Sequence, residues 1–307
     1  VTIRAAVVGG SPLHQQAVDD LLRDEGFQLV HALSRDPVVD ADGAPTDATW
    51  ESLLLDPDIR LIVLCTHTEA RVALVRQAAE AGKAVLLQEP APSPQELAQL
   101  RQLTRRDTAL IGVMMPFRMA VPAEVRAWTW TATTCATLEV SRSHPFEEFR
   151  NPLWFRWGPT RQKRALARIL TPYLDLACQL LGEPADTRIQ VDDDPGGRAI
   201  GLVSFHNGSR LAFAGTTCSA VPSERLSLFD TDARLTVSGN TLVFERMGSR
   251  AMREIPPVRV LRGLVYQEIA RSIESGTPLR HSTVNASDGL AAVLASFVTL
   301  HRTQVHS

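Results

Sequence analysis

Residues 3–10 read IRAAVVGG, a short apolar run that ends at Gly9-Gly10 and gives way to a helical pattern reaching Leu21 and Leu22. An apolar run closed by glycines and followed by 3.6-residue periodicity is a strand, a tight turn and a helix. The unit recurs downstream. FQLVHALS (27–34) reads as a second strand, RLIVLCT (60–66) as a third after an acidic helix, and AVLLQE (84–89) as a fourth after the helix EARVALVRQAAEAGK (69–83). SPQELAQLRQLTRR (93–106) predicts a helix with Ser93 as N-cap and Glu96 closing a capping box, and TALIGVMM (108–115) returns as a strand. Apolar strands alternating with helices imply a parallel sheet covered on both faces. Residues 1–115 are therefore expected to form a Rossmann-type, doubly wound α/β domain.

The rhythm changes after Met115. A helix near 120–127 leads to the alternating strand CATLEVSRS (135–143), the aromatic and basic loop NPLWFRWGPTRQKR (151–164) and a helix over about 164–181. IGLVSFHNGSRLAFAGTT (200–217) carries Asn207-Gly208 between two alternating runs, a hairpin signal. RLSLFDTDARLTVSGNTLVFER (225–246) continues that pattern and two helices close the chain. Residues 116–307 thus predict an α+β domain on a mostly antiparallel sheet.

Composition narrows the partners. The 32 basic and 34 acidic residues are spread along the chain for a net charge of -2, which gives no footprint for nucleic acid and points to a small-molecule substrate. The stretch VTIRAAVVGG has no basic segment before an apolar run, and no apolar stretch approaches the ~20 residues of a membrane span, so a cytoplasmic protein without a membrane partner is expected. Cys65, Cys135, Cys178 and Cys218 stand far apart, which suggests buried apolar residues and neither a metal site nor a disulfide framework. Any mechanism that needs a lysine or tyrosine must draw on Lys83, Lys163, Tyr173 and Tyr266.

The phrases LLLDPDIRLIVLCT, AAEAGKAVLLQEPAPSPQEL, LDLACQLLGEP, NGSRLAFAG and YQEIARSIESGTPL, in this order and spacing, resemble the glucose-fructose oxidoreductase, inositol dehydrogenase and MocA (Gfo/Idh/MocA) family over nearly the whole chain. The resemblance implies NAD or NADP at the first domain and a sugar, polyol or related carbonyl against the sheet of the second. Where that family writes G-x-G-x-x-G, this chain has Gly9, Ser11 and His14, and an imidazole replaces a hydrogen atom where the dinucleotide or close helix packing needs space. An adapted phosphate site and a helix N-terminus packed without ligand are both open. Ser34-Arg35 at the second strand's end suits a 2′-phosphate, so Gly9, Ser11, Ser34 and Arg35 would hold NADP if a cofactor binds; an ordinary solvated turn is the alternative.

The resemblance also implies a catalytic lysine in E-K-P, and a helical aspartate and histidine four residues apart. Here those positions hold Glu89, in Gln88-Glu89-Pro90, together with Arg168 and Pro172. A unit charge ~4 Å from a developing alkoxide is worth ~4 kcal/mol at an effective dielectric of 20, so reversing its sign shifts the barrier by up to ~8 kcal/mol, about five orders of magnitude. Hydride transfer in the family's usual way is therefore not expected. Glu89 and Arg168 would preserve the lysine–aspartate pair with its signs exchanged, as a salt bridge in a dead pocket or as a new site. In the second case Arg168 orients a carboxylate and Glu89 moves a proton, with His67 after RLIVLCT as its acid–base partner and Tyr173 as a further acid. Arg118, Trp154 and Arg156 are the substrate-binding candidates. The expected function is non-redox acid–base chemistry of lyase, isomerase or cyclase type on a small anionic metabolite, with no cofactor required. An atypical NADP-dependent oxidoreductase and a non-catalytic regulatory homologue are the alternatives, and a homodimer through the open sheet face is the expected assembly.

Overall fold

The computed structural model describes residues 2–11, 13–35, 48–66, 71–88, 94–106, 109–143, 161–192 and 197–299. They form two compact units, Val1–Met119 with Val258–Ser287, and Ala120–Pro257 with Asp288–Ser307.

In the first unit β1 (Ile3–Val8), β2 (Phe27–Leu33), β3 (Ile59–Leu64), β4 (Ala84–Leu87) and β5 (Ile111–Val113) form a sheet in the order β2-β1-β3-β4-β5, every pairing parallel. The helices between them are α1 (Leu13–Arg23), α2 (Ala48–Leu55), α3 (Arg71–Glu80) and α4 (Pro94–Arg106). Ile3, Ala5, Val7, Leu61, Val63 and Leu86 pack in one cluster with Ala17 and Leu21 of α1. Strand alternation sends the equally buried Ala6, Val8, Ile62, Leu64, Val85 and Leu87 to the opposite face. This two-sided burial is why the strands read as unbroken apolar runs.

A later helix, α8 (Val258–Ser275), completes this unit, with Val265, Tyr266 and Ile269 in the cluster of α1 and the strands. Sequence rhythm marked one boundary, near 115; in the structure the chain returns to its first unit for residues 258–287. The cause is packing. Gly112 of β5 leaves room for the tip of Ile269, whose Cδ1 lies 2.6 Å from where a Cβ at 112 would stand.

α5 (Phe117–Ala120) and α6 (Ala123–Arg126) stand where one helix over 120–127 was expected; Pro122, extended at φ -64° and ψ 154°, separates them. The second unit holds β6 (Cys135–Ser143), α7 (Arg161–Leu181), β7 (Pro184–Asp192), β8 (Arg198–Phe205), β9 (Arg210–Thr216), β10 (Cys218–Phe229), β11 (Ala233–Ser238), β12 (Thr241–Arg246), β13 (Ser249–Glu254) and α9 (Asp288–Thr299). Its sheet runs β13-β12-β11-β10-β6-β9-β8-β7, antiparallel but for β6 against β9. Gly208 at φ +91° makes the turn between β8 and β9 that Asn207-Gly208 predicted. α7 and α9 pack on one face, where Phe213 and Phe297 stack at 6.2 Å. On the other face Ile200 and Leu202 of β8, Ala212 and Ala214 of β9, and Thr137 and Glu139 of β6 are exposed. No helix among the described residues is long and apolar enough to cross a membrane.

Candidate functional site

In an open parallel sheet the ligand edge lies beyond the carboxyl ends of the strands, at the point where strand order reverses. Here that point is between β1 and β3. Gly9 follows β1 at φ +130°, and a Cβ there would stand 2.2 Å from the Cys65 carbonyl oxygen, so glycine is required because backbone meets backbone. The amides of this turn are turned inward. Gly9 N donates to Leu33 O at 2.9 Å, Ser11 N to Cys65 O at 2.9 Å and His14 N to Ser11 O at 2.9 Å. Ser11 Oγ, nearly buried, accepts from Leu13 N at 3.2 Å and caps α1. Proline at position 12 has no amide hydrogen. That accounts for every amide of residues 9–14 except Gly10's.

His14 sits on the first turn of α1 with its Nε2 buried and without a hydrogen-bond partner. Burial holds the imidazole below its usual range, only partly opposed by a bond to the Val7 backbone, so the ring is neutral at pH 7. A pyrophosphate needs several outward amides and a hydrogen atom in place of a ring at the third glycine position. The residues present do not fit that group. At the end of β2, Ser34 and Arg35 are exposed, where the sequence suggested a 2′-phosphate contact.

Beyond β4 the chain is anchored by a buried polar chain of four residues. Gln88 Nε2 donates to Tyr266 Oη at 3.2 Å, Arg262 Nη2 donates to Gln88 Oε1 at 2.9 Å, and Arg262 Nε donates to Asp20 Oδ2 at 2.6 Å. Burial pushes the Asp20 carboxyl above its usual range although Arg262 pulls it down. Burial also pushes the Tyr266 phenol well up, so it stays protonated. The residue before Glu89 is thereby fixed to α1 and α8 together. Glu89 itself, with His67, Trp154 and Arg156, lies outside the described residues.

Glu96 was assigned to a capping box with Ser93, a position outside the described residues; its Oε1 accepts from Arg71 Nε at 2.5 Å, joining the starts of α3 and α4. One expectation is corrected. Arg118 was assigned to an anionic substrate, but it is 1% exposed and its guanidinium donates to the carbonyls of His281, Thr283 and Ala286 and to Ser287 Oγ. Glu268 holds the same segment from its amide side, accepting from the backbones of Arg280, His281 and Ser282. Arg118 is a clamp inside the first unit.

In the second unit Arg168 is half-buried on α7, and Pro172 interrupts that helix's hydrogen-bond ladder. Tyr173 is 1% exposed and donates its proton to Glu224 Oε2; Glu224 Oε1 accepts from Arg142 Nε. Burial and the Glu224 carboxylate push the phenol far above its usual range, so Tyr173 holds its proton at any working pH. Burial opposes ionisation of Glu224, but the bonds from Arg142 and Tyr173 outweigh it and leave the carboxyl below its usual range.

A family model described as oxidoreductase family, NAD-binding Rossmann fold (Gfo/Idh/MocA) matches residues 3–115. Its span is the unit whose sheet and first turn are given above. Over these residues the chain is similar to the Gfo/Idh/MocA family. No curated protein matches it by sequence. Among solved structures, UDP-N-acetylglucosamine 3-dehydrogenase from Acidithiobacillus ferrooxidans is similar at 17% identity and a TM-score of 0.74, covering 97% of each chain. A dehydrogenase from Chromobacterium violaceum is similar at 15% identity and 0.71, over 96% of this chain and 94% of its own. Biliverdin reductase from Synechocystis, solved with biliverdin and NADP+, is similar at 17% identity and 0.65, over 96% and 98%. At such identities the likeness is one of fold. The chain has an oxidoreductase-family scaffold with a Rossmann fold.

Against this Gfo/Idh/MocA frame, sequence reasoning missed Asp20, Arg262, Arg142 and Glu224. Asp20 and Arg262 are 242 positions apart, so nothing local links them. Arg142 did leave a signal. Ala136, Leu138 and Val140 are the buried face of β6, and alternation carries that face to an arginine.

Proposed function

We propose that this chain acts on a small metabolite by proton transfer, without a bound nicotinamide, using an oxidoreductase scaffold for non-redox chemistry of lyase, isomerase or cyclase type. The observation that carries this reading is the β1–α1 turn, where the amides of Gly9, Ser11, Leu13 and His14 are satisfied inside the protein. The chemistry then falls to side chains at the strand tips. Glu89 follows the anchored Gln88 and replaces the ammonium expected in the family; we assign it the mobile proton, with His67 as its partner and Arg168 as the group that orients an anionic substrate. We also propose a homodimer through the exposed sheet face that carries Ile200 and Leu202.

Titrating NADPH by fluorescence tests the cofactor claim. The native chain should show no saturable binding below millimolar concentration, and Ser11→Gly with Pro12→Ala and His14→Gly should gain it. Micromolar binding by the native chain would overturn the reading in favour of an NADP-dependent oxidoreductase, which the exposed Ser34-Arg35 at the end of β2 favours. Turnover of a substrate without nicotinamide, lost in Glu89→Gln, separates an enzyme from a regulatory binder.

A further inference from the structure

We propose that Arg142 is the ligand-binding residue of an anion subsite on the helix-covered face of the second unit's sheet, built to receive the carboxylate or phosphate of a small metabolite. This names the substrate class of the function proposed above and rests on it.

Position is the first support. Ala136, Leu138 and Val140 point to the buried face of β6, and Arg142 continues that face at its open end, where its side chain is 50% exposed. Anchoring is the second. Arg142 is held through Nε alone by Glu224, whose other oxygen accepts from the buried Tyr173, so the carboxylate is fixed from both sides. The third is the state of the fork. Among the described residues the two terminal nitrogens of Arg142 make no hydrogen bond.

An ion pair with one partner half exposed adds little to stability. The Tyr173–Glu224 pair instead fixes the plane and direction of a guanidinium. Its buried end faces the carboxylate and its exposed end presents two parallel donors. That is the geometry that binds a carboxylate or phosphate through two hydrogen bonds, and lysine cannot reproduce it. Tyr173 and Glu224 are positioning residues, and Arg142 makes the contact.

The test is thermal unfolding of the full chain with malonate in one arm and inorganic phosphate in the other, with sodium chloride holding ionic strength constant. At about ten times Kd a single site should raise Tm by roughly 2 °C, saturably, and the arm with the tighter Kd identifies the preferred anion. Arg142→Gln should abolish the rise, Arg142→Lys should weaken binding several-fold, and Tyr173→Phe should weaken it less while leaving the fold intact by circular dichroism. Phenylglyoxal labelling of the native chain, mapped by mass spectrometry, gives a readout without substitution: the better anion should slow modification of Arg142 and leave the exposed Arg188 unprotected. A rise that survives in Arg142→Gln, no rise over chloride in either arm, or unprotected labelling of Arg142 overturns the proposal. The NADPH titration is read separately, so the cofactor-free reading and this subsite can fail independently.

Discussion

Gln88→Glu restores the letter that the family resemblance implies at this position, and the structure says it should be harmful. Arg262 already serves Asp20 at 2.6 Å, with side chains only 6% and 8% exposed, and reaches the neutral Gln88 at 2.9 Å. A carboxylate at 88 places two negative charges on one buried guanidinium. At ~5 Å separation and an effective dielectric of 20, their repulsion is about 3 kcal/mol, before desolvation of the new charge is added. The protein has one escape, which is to protonate the new acid. From an unfolded pKa near 4.3 that costs ~1.4 kcal/mol per pH unit, so the loss at pH 7 cannot exceed about 3.7 kcal/mol. The sign follows. The folded pKa of the introduced carboxyl is raised, so the variant matches the native chain below the unfolded pKa and loses stability as pH rises toward the folded one. Melting curves from pH 4.5 to 8 should show Tm values that nearly coincide at the acid end and differ by roughly 4 to 6 °C at pH 7. Adding Asp20→Asn should recover most of the difference, although Asp20→Asn alone destabilises by leaving Arg262 without a counter-charge. A Gln88→Glu variant whose deficit is independent of pH, or additive with Asp20→Asn, would refute this account of the network.

Three further outcomes follow from the same contacts. Gly9→Ala should destabilise by more than ~4 kcal/mol and give little folded protein on expression, because its Cβ would stand 2.2 Å from Cys65 O. Arg118→Met leaves the carbonyls of His281, Thr283 and Ala286 without their donor, at ~1–3 kcal/mol for each that stays buried, and hydrogen exchange should speed up first across 281–287. Glu268 is pushed up by burial but pulled below its usual range by Ser282 and by the amides of His281, Arg280 and Ser282, so its stabilisation is present above pH ~4.3 and is lost as pH falls through the depressed folded value. Glu268→Gln should therefore melt lower than the native chain at pH 7, by a gap that narrows as pH falls below ~4.3.

The first sheet was legible because β1, β3, β4 and β5 are buried on both faces, and such burial writes itself as apolar runs; β2, at the sheet's edge, is buried only at Phe27. The second was legible because one face is exposed, and alternation in CATLEVSRS and LAFAG follows from that. What was hidden is where a polar residue spends its hydrogen bonds. Arg118 in PFRMAVP reads as a basic residue near a ligand, and only the closeness of residues 281–287 turns it into a clamp. Tyr173 reads as an acid or as core, and its partner Glu224 lies 51 positions away on β10. The sign inversion at Glu89 and Arg168 stays a proposal, since Glu89 lies outside the described residues.

α1 joins the capped first turn of the sheet to the buried polar chain that ends at Gln88. Its N-terminus is capped by Ser11, and its first turn carries the neutral His14. Near its C-terminus, about two turns on, Asp20 ties it to Arg262 and through Arg262 to Gln88. A helix that receives a pyrophosphate must present bare amides to it, and the dipole favours that charge only where those amides face the ligand. Here the same end is finished with protein groups, while the far end holds the residue that precedes Glu89. Each change is tolerable alone in a nicotinamide enzyme. In the proton-transfer reading proposed above, the fixed point of the first unit is the polar chain of Asp20, Arg262 and Gln88 behind the end of β4.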